Sequence, residues 1–143
     1  MLVAGEYADA LRALGRFLEQ VGASEIGVID QEDELEVSWR TRSGTRQERR
    51  YGKVELGHLR ASAVLFRGLE GGGPGFRTAE FLRTLGMLLD EMQAESMGLM
   101  ETSYGFWLSA RVSGEARGET YTYADLIQRA AAYRKRQAPQ VAR

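Results

Sequence analysis

Apolar residues recur at helical spacing in two stretches of the chain that are offset by 71 positions. The first set is Leu11, Leu14, Leu18 and Val21, and the second is Leu82, Leu85, Leu89 and Met92. Because steps of three and four residues place side chains on one side of a helix, each set predicts an amphipathic helix. Each helix also contains a glycine, Gly15 or Gly86, at a cost of about 1 kcal/mol relative to alanine. We interpret these glycines as points where the two helices approach each other closely.

After each helix the apolar pattern changes to the period of a strand. A short apolar run, "EIGVID" or "SMGLME", is followed by an alternating run, "LEVSW" or "FWLSARV", and each run predicts a strand. A Ser-Gly turn and a third strand follow, at residues 45–51 and 116–122. A closing helix is predicted at 54–66 and at 123–136, the latter with Thr122 as its N-cap. Each half therefore has the order α-β-β-β-α.

The two halves are also similar residue by residue. Residues 7–48 align with 78–119 without a gap, and 12 of these 42 positions are identical, where roughly 3 identities are expected by chance. We interpret the chain as a tandem duplication, with repeats at 6–69 and 77–137 and a glycine-rich linker at 70–76. The predicted fold is a single α+β domain over 1–143. Its six strands form one antiparallel sheet about a pseudo-twofold axis, with the helices on one face.

This order of elements resembles that of a known group of proteins. An opening helix that ends in "LG", a strand meander and a helix, followed by a second such set, is similar to the type III secretion chaperone-like superfamily. The resemblance covers most of the chain at the level of element order. Members of that superfamily are small α+β proteins that bind other proteins, so the resemblance implies a protein-binding role.

Composition narrows the functional classes. The chain has no cysteine, which excludes disulfides, thiol nucleophiles and cysteine-ligated metals and fits a reducing cytoplasm. No window approaches eighteen uninterrupted apolar residues and the first residues do not form a signal peptide, so we expect a cytoplasmic protein that does not associate with membranes. The formal net charge of −1 gives no global attraction to nucleic acid.

Charge is concentrated locally in the hairpin at residues 38–53. Its six basic residues, Arg40, Arg42, Arg46, Arg49, Arg50 and Lys53, outnumber its single acid, Glu48. Interleaved with Trp39 and Tyr51, they form a pattern typical of nucleic-acid contact. The structural alternative is cross-strand ion pairing of Arg40 with Glu48, and of Arg111 with Glu119 in the second half.

Comparison of the halves separates these readings. Arg40, Arg46 and Glu48 recur in the gap-free alignment, so a shared structural role accounts for them. The unmatched basic residues are the candidate anion or nucleic-acid contacts: Arg42, Arg49, Arg50 and Lys53.

The second half diverges through aromatic residues. Trp107 lies between Phe106 and Leu108, so the strand period directs it to the face opposite the core. Tyr121 and Tyr123 lie on or beside the paired strands. We predict a candidate partner surface formed by Trp107, Tyr121 and Tyr123.

Catalytic, metal and cofactor motifs are not evident. His58 has Ser62 one turn later, but nothing marks an orienting carboxylate or an oxyanion hole, and we interpret it as a surface or boundary histidine. The acidic run at residues 30–34 lacks the spacing of a calcium loop and reads as a solvated turn. An enzymatic hypothesis would rest only on carboxylates such as Asp30, Glu32 and Glu34. We name no catalytic, metal-binding or cofactor-binding residue.

Two functional hypotheses follow from the sequence. The first is a non-enzymatic cytoplasmic protein-binding module, chaperone-like or regulatory, whose partner is another protein or a second copy in a homodimer. The alternative is a nucleic-acid-binding or regulatory protein that uses the basic hairpin at 38–53.

Overall fold

A computed structural model describes residues 2–66 and 77–137. The predicted linker at 70–76 lies outside these residues. The elements in chain order are α1 (Tyr7–Gln20), β1 (Ser24–Asp30), β2 (Leu35–Arg40), β3 (Arg46–Tyr51), α2 (Lys53–Phe66), α3 (Arg77–Glu91), β4 (Ser96–Glu101), β5 (Gly105–Val112), β6 (Glu115–Thr122) and α4 (Tyr123–Gln137). The predicted helices and strands are therefore all present, within a few residues of their expected ends.

The six strands form one antiparallel sheet in the order β3-β2-β1-β4-β5-β6. The first strands of the two halves, β1 and β4, pair at its centre, where Val28 lies opposite Leu99. Each hairpin then extends outward from this central pair. The predicted α+β fold with one six-stranded antiparallel sheet is confirmed, and the strand order is symmetric about the β1–β4 pair.

One face of the sheet carries the core. Side chains along each inner strand alternate between buried and more exposed positions, and the buried ones join the helix side chains in a single cluster. The largest fully buried strand residues are Ile26, Val28, Leu35 and Phe106. Burying alternate residues of a strand in this way packs one sheet face against helices and leaves the other outside the core.

Helices α1 and α3 cross at very short range over this core. A Cβ built on Gly15 would lie 2.5 Å from the Cα of Ala79, and one built on Gly86 would lie 2.6 Å from the Cα of Ala8. Such distances are too short for any side chain, so only glycine permits the crossing. The predicted close approach of the two helices is confirmed.

The same crossing supplies the helix caps. Asp90, near the end of α3, accepts hydrogen bonds from the N–H groups of Tyr7 (3.0 Å) and Ala8 (3.2 Å). Glu19, near the end of α1, accepts one from the N–H of Ala79 at 3.2 Å. These N–H groups have no partner within their own helix, and a carboxylate also complements the positive end of the helix dipole. Each helix thus caps the other.

The two hairpin turns differ by one residue. In the first, the N–H of Thr41 donates to the carbonyl of Thr45 at 2.8 Å, leaving three residues at the tip. In the second, Val112 pairs with Glu115 around a two-residue turn of Ser113 and Gly114, both with positive φ (52° and 79°). Positive φ at both central residues is typical of the tight I′ hairpin turn.

This difference changes the register of the third strands. Tyr51 lies opposite Leu35, and Tyr121 lies opposite Phe106, so the two tyrosines are equivalent although they are 70 positions apart. The gap-free alignment at 71 positions is therefore one residue out of step beyond the turn. The recurrence of Arg46 as Arg117, and of Glu48 as Glu119, does not reflect equivalent positions.

The predicted cross-strand ion pairs are consequently wrong. Glu48 lies opposite Ser38 rather than Arg40, and Glu119 lies opposite Leu108. Arg40 instead pairs with Glu25, Nε to Oε2, at 2.8 Å. In the first half Glu48 stays on the face of Arg40, two positions away from it. In the second half the shorter turn shifts β6 by one residue, and because the side-chain period of a strand is two, Glu119 points to the face opposite that of Arg111.

The predicted N-cap of α4 is confirmed. Thr122 Oγ1 accepts a hydrogen bond from the N–H of Asp125, and the Asp125 carboxylate accepts one from the N–H of Thr122, both at 3.1 Å. These two reciprocal bonds form a capping box, which fixes where the helix begins.

Replacing Gly15 by alanine should destabilise the protein, because the new methyl group would meet the α3 backbone. We expect the free energy of unfolding in urea to fall by about 1–3 kcal/mol, as for overpacked cores. The matched control is Gly57→Ala in α2, where a Cβ would meet no atom within 4 Å. That change should stabilise the helix by up to about 1 kcal/mol. Equal effects at the two glycines would contradict the tight crossing.

Candidate functional site

The sheet face opposite the core is named here the open face. Its centre consists of small and apolar residues: Gly27, Ile29, Gly98, Met100, Trp107 and Gly118. Ile29, Met100 and Trp107 are 51%, 60% and 41% exposed. Large apolar side chains in one contiguous exposed patch are the usual signature of a binding surface.

Strand register makes this centre continuous. Ile29 lies directly opposite Gly98, and Gly27 lies directly opposite Met100, across the central β1–β4 pair. Met100 in turn lies opposite Trp107 on β5. Directly opposed residues have Cβ atoms about 4.5–5.5 Å apart. Serine hydroxyls of β2 and β5 occupy the space beside these two glycines. The open face therefore presents projecting apolar side chains without open gaps between them.

Trp107 lies on the open face, as its position in the alternating strand predicts. Its ring occupies the space above Gly118 on β6, where any Cβ would collide with the ring atoms. Gly118 thus accommodates the indole ring against the sheet. The ring extends the apolar centre toward the β6 edge of the sheet.

Charged residues occupy the β1–β3 half of the open face, and they are paired with one another. Arg40 contacts Glu25, as described above. Arg50 lies 3.5 Å from Glu34 and 3.4 Å from Glu48. These exposed pairs contribute little to stability, but they leave the charged half locally neutralised beside the apolar centre.

Tyr121 does not share this surface, and the predicted partner surface is corrected accordingly. Tyr121 lies on the core face opposite Phe106 and is 6% exposed. Burial, together with its hydrogen bond to Glu119, raises the pKa of Tyr121 to about 12. Tyr121 lies opposite Phe106, which directly precedes Trp107 along β5, so the side chains of Tyr121 and Trp107 point to opposite faces.

Tyr123, the first residue of α4, also packs on the helix side. Its ring lies 5.2 Å from that of Phe81 and 6.1 Å from that of Phe106. Its hydroxyl donates a hydrogen bond to Glu101 at 2.7 Å. Burial and this hydrogen bond raise the pKa of Tyr123 above its ordinary value. Tyr123 therefore packs against the core, and it also lines a pocket with Gly27 and Met100 at the end of the open face.

The candidate basic residues are distributed over several places. Arg50 is on the open face opposite Glu36, whereas Arg49 is on the other face, opposite Val37. The Arg49 guanidinium lies 5.4 Å from the ring centre of Phe17 and 5.1 Å from that of Tyr51. Arg49 thus covers the edge of the core through cation–π contacts.

The other two basic residues lie at opposite ends of β3. Arg42, in the hairpin turn, packs over Gly22 in the turn after α1. Lys53 is the exposed first residue of α2. The four candidate contacts do not form one continuous basic surface, and the nucleic-acid hypothesis stays a prediction.

The acidic run at 30–34 is also only partly a solvated turn. Asp30 is 8% exposed at the end of β1 and accepts hydrogen bonds from the Leu2 N–H (3.4 Å) and the Tyr7 hydroxyl (3.5 Å). Burial raises the pKa of Asp30, although these hydrogen bonds oppose the change. Asp30 therefore ties the start of the chain to the sheet. His58 is exposed on α2, as expected.

The centre of the open face, apart from Trp107, was not predicted from the sequence. The short apolar runs "EIGVID" and "SMGLME" predicted strands, but no face was assigned to Ile29 or Met100. The sequence did contain the necessary information in the alternation of side chains along a strand. Ile29 follows Val28 directly, so the two must point to opposite faces. The recurrence of this arrangement at Met100 repeats the signal. The role of Gly118 depends on the hairpin register and had no signal of its own.

Comparison with known proteins gives no family for this chain. No family model matches it, and neither does any curated protein or solved structure. Within residues 2–66 and 77–137, no helix has the length and apolar character needed to cross a membrane. The same residues contain no group of three or more histidine or acidic side chains placed to hold a metal ion.

The two neighbouring arginines of β3 should respond differently to truncation. Arg49→Ala should lower the free energy of unfolding by about 0.5–1 kcal/mol, because the cation–π contacts with Phe17 and Tyr51 are lost. Arg50→Ala is the matched control and should change stability by less than about 0.5 kcal/mol, since its ion pairs are exposed. Urea titration of both variants measures the difference. The reverse order would contradict the assignment of Arg49 to the core edge.

Proposed function

We propose that this protein is a non-enzymatic, cytoplasmic protein-binding module that binds through the centre of its open face. The observation that carries the proposal is the exposure of Ile29, Met100 and Trp107 as neighbours on one sheet face. Leaving these side chains in water costs free energy that contact with an apolar partner surface would recover. A protein-binding role also agrees with the resemblance to type III secretion chaperone-like proteins.

The partner to which we commit is a second copy of this chain. The centre of the open face is nearly symmetric, because Ile29 projects beside Gly98 in the same way that Met100 projects beside Gly27. When two such faces meet about a twofold axis, Ile29 and Met100 of one copy can pack against Ile29 and Met100 of the other. This self-complementarity is what a twofold-symmetric interface requires.

Charge supports this arrangement. The ion pairs of Arg40 with Glu25, and of Arg50 with Glu34, already satisfy the charged half within one chain. Contact between two open faces would therefore not depend on new charge pairs. Apolar contact at the centre would supply the affinity, and the paired charges would form the rim.

The size of the face sets the expected affinity. Five spacings between strands of about 4.8 Å, and strands of about 20 Å, give a face of roughly 24 Å by 20 Å. Two such faces bury on the order of 1,000 Å², which is the size of a weak or transient interface. We therefore propose a reversible dimer that forms at high concentration.

A duplicated origin is also part of this proposal. The reciprocal pairs Gly15–Ala79 and Gly86–Ala8 and the symmetric strand order support a tandem repeat of one α-β-β-β-α unit. If an ancestral unit existed alone, its copies would have paired through β1 as β1 and β4 do now. Association of subunits would then be an old property of this fold.

Self-association should depend on Trp107. Sedimentation velocity from about 1 μM to about 1 mM should detect a monomer–dimer equilibrium. Trp107→Arg should weaken it by at least about tenfold, because a charge would enter the apolar contact. The matched control is Ile127→Glu, which changes a residue on α4 that is 50% exposed, and it should leave the equilibrium unchanged.

Two results would count against the second copy. A protein that stays monomeric over the whole range would exclude it, and so would a dimer that Trp107→Arg leaves intact. If the chain is monomeric and a different protein binds the native form and Ile127→Glu but not Trp107→Arg, the open face binds that protein instead.

A further inference from the structure

A pocket lies on the helix side of the sheet, in the second half of the chain and away from the open face. Its volume is about 310 Å³, and its main lining residues are Met92, Leu108, Ala110, Arg117, Glu119 and Tyr121. Ligand pockets begin at about 300 Å³. The space is therefore large enough for a small ring system.

The first half of the chain indicates what fits this space. Ala110 lies opposite Arg117, two positions along from the Leu108–Glu119 pair. Trp39 has the same place in the first hairpin, opposite Gln47 and two positions along from the Val37–Arg49 pair. Trp39 is 7% exposed, so an indole ring fills the position that is open beside Ala110.

The residues around Ala110 also differ from those around Trp39, and these differences do not fill the space that the indole ring occupies in the first half. In the first half the ring of Phe17 meets Trp39 edge-on at 5.6 Å, and Arg49 covers the cluster. In the second half, Leu88 on α3 is the equivalent of Phe17 on α1, because the two are 71 positions apart, like Gly15 and Gly86. Glu119 replaces Arg49, and its carboxylate holds the Tyr121 hydroxyl instead of covering a ring.

We propose that this pocket binds a planar aromatic ring of indole size. Leu108 and Ala110 provide an apolar floor for such a ring, and Tyr121, whose ring centre lies 5.3 Å from the Arg129 guanidinium, borders it. Met92 is an adaptable apolar wall, because its thioether side chain is flexible and makes favourable contacts with aromatic rings. Arg117 and Glu119 at the mouth can contact a ring face and accept an N–H hydrogen bond, respectively.

The ring can belong to a free small molecule or to a tryptophan side chain of another protein. Both present the same indole to the pocket. They differ in the groups attached to the ring, which the mouth between Arg117 and Glu119 must admit. The experiment therefore includes a probe for each source.

The test is titration of the full chain with indole, followed through the methyl NMR signals of Met92 and Leu108. We expect saturable shifts at these methyl groups. Ala110→Trp places the ring of the first half in the pocket and should weaken indole binding by at least about tenfold. Ala116→Trp is the matched control, since it adds the same ring to the exposed, opposite face of β6, where Ala116 lies opposite Arg111.

A reciprocal variant extends the test. Trp39→Ala opens the equivalent space in the first half, so indole should bind this variant at two sites rather than one. N-acetyltryptophanamide is the second probe. Tighter binding of indole identifies a free small molecule as the source, and tighter binding of N-acetyltryptophanamide identifies a protein side chain.

Absence of saturable shifts at Met92 and Leu108 in the native protein, up to the solubility limit of indole, would overturn the proposal. Indole binding of native strength by a folded Ala110→Trp protein would also overturn it. If Ala110→Trp does not fold, the shift map of the native protein decides alone: saturable shifts confined to the pocket support the site, and their absence refutes it. A failure of self-association at the open face would affect none of these results.

Discussion

The close crossing of α1 and α3 is the contact on which the rest of this structure depends. Glycine in each helix meets the backbone of an alanine in the other, at Gly15–Ala79 and Gly86–Ala8. The crossing also brings Asp90 to the start of α1 and Glu19 to the start of α3. Neither half can satisfy these helix ends alone, because each cap comes from the other half. Three strands and a helix pair would be marginal in isolation, and the crossing joins both halves into one core.

Packing both central helices on one side determines the chemistry of the other side. The described helices bury one sheet face, so the opposite face meets water or a partner. Along its centre the chain places glycine beside Ile29, Met100 and Trp107, while charged pairs occupy the β1–β3 half. On the helix side, the change from Trp39 to Ala110 accompanies a pocket in the second half. The centre of the open face thus keeps the near-symmetry of the backbone, whereas the pocket reflects a difference between the halves, and we place a function at each.

Much of the fold follows from local sequence patterns. Helical and strand periods are properties of neighbouring residues, so the elements, the sheet and the role of Gly15 and Gly86 were predictable. The sheet face to which each side chain of β3 and β6 points was not predictable, because it depends on a turn that is one residue shorter in the second half. That one-residue slip moved Tyr121 into the core and placed Glu119 on the face opposite that of Arg111. The faces of Arg49 and Arg50 were missed for a related reason. A count of charges takes no account of the alternation of side chains along a strand, which places these two arginines on opposite faces. The pocket depends on differences in volume between distant residues, for which the sequence carries no periodic signal.

The central claim is that the apolar centre of the open face binds a second copy of the chain. Methyl NMR at low and high protein concentration tests this claim most directly, because it reports on individual side chains. The account predicts that the methyl signals of Ile29 and Met100 shift together as concentration rises, while that of Ile127, exposed on α4, does not. Shifts of Ile127 without shifts of Ile29 and Met100 would place association on the helices, and constant signals for all three would contradict association at the open face.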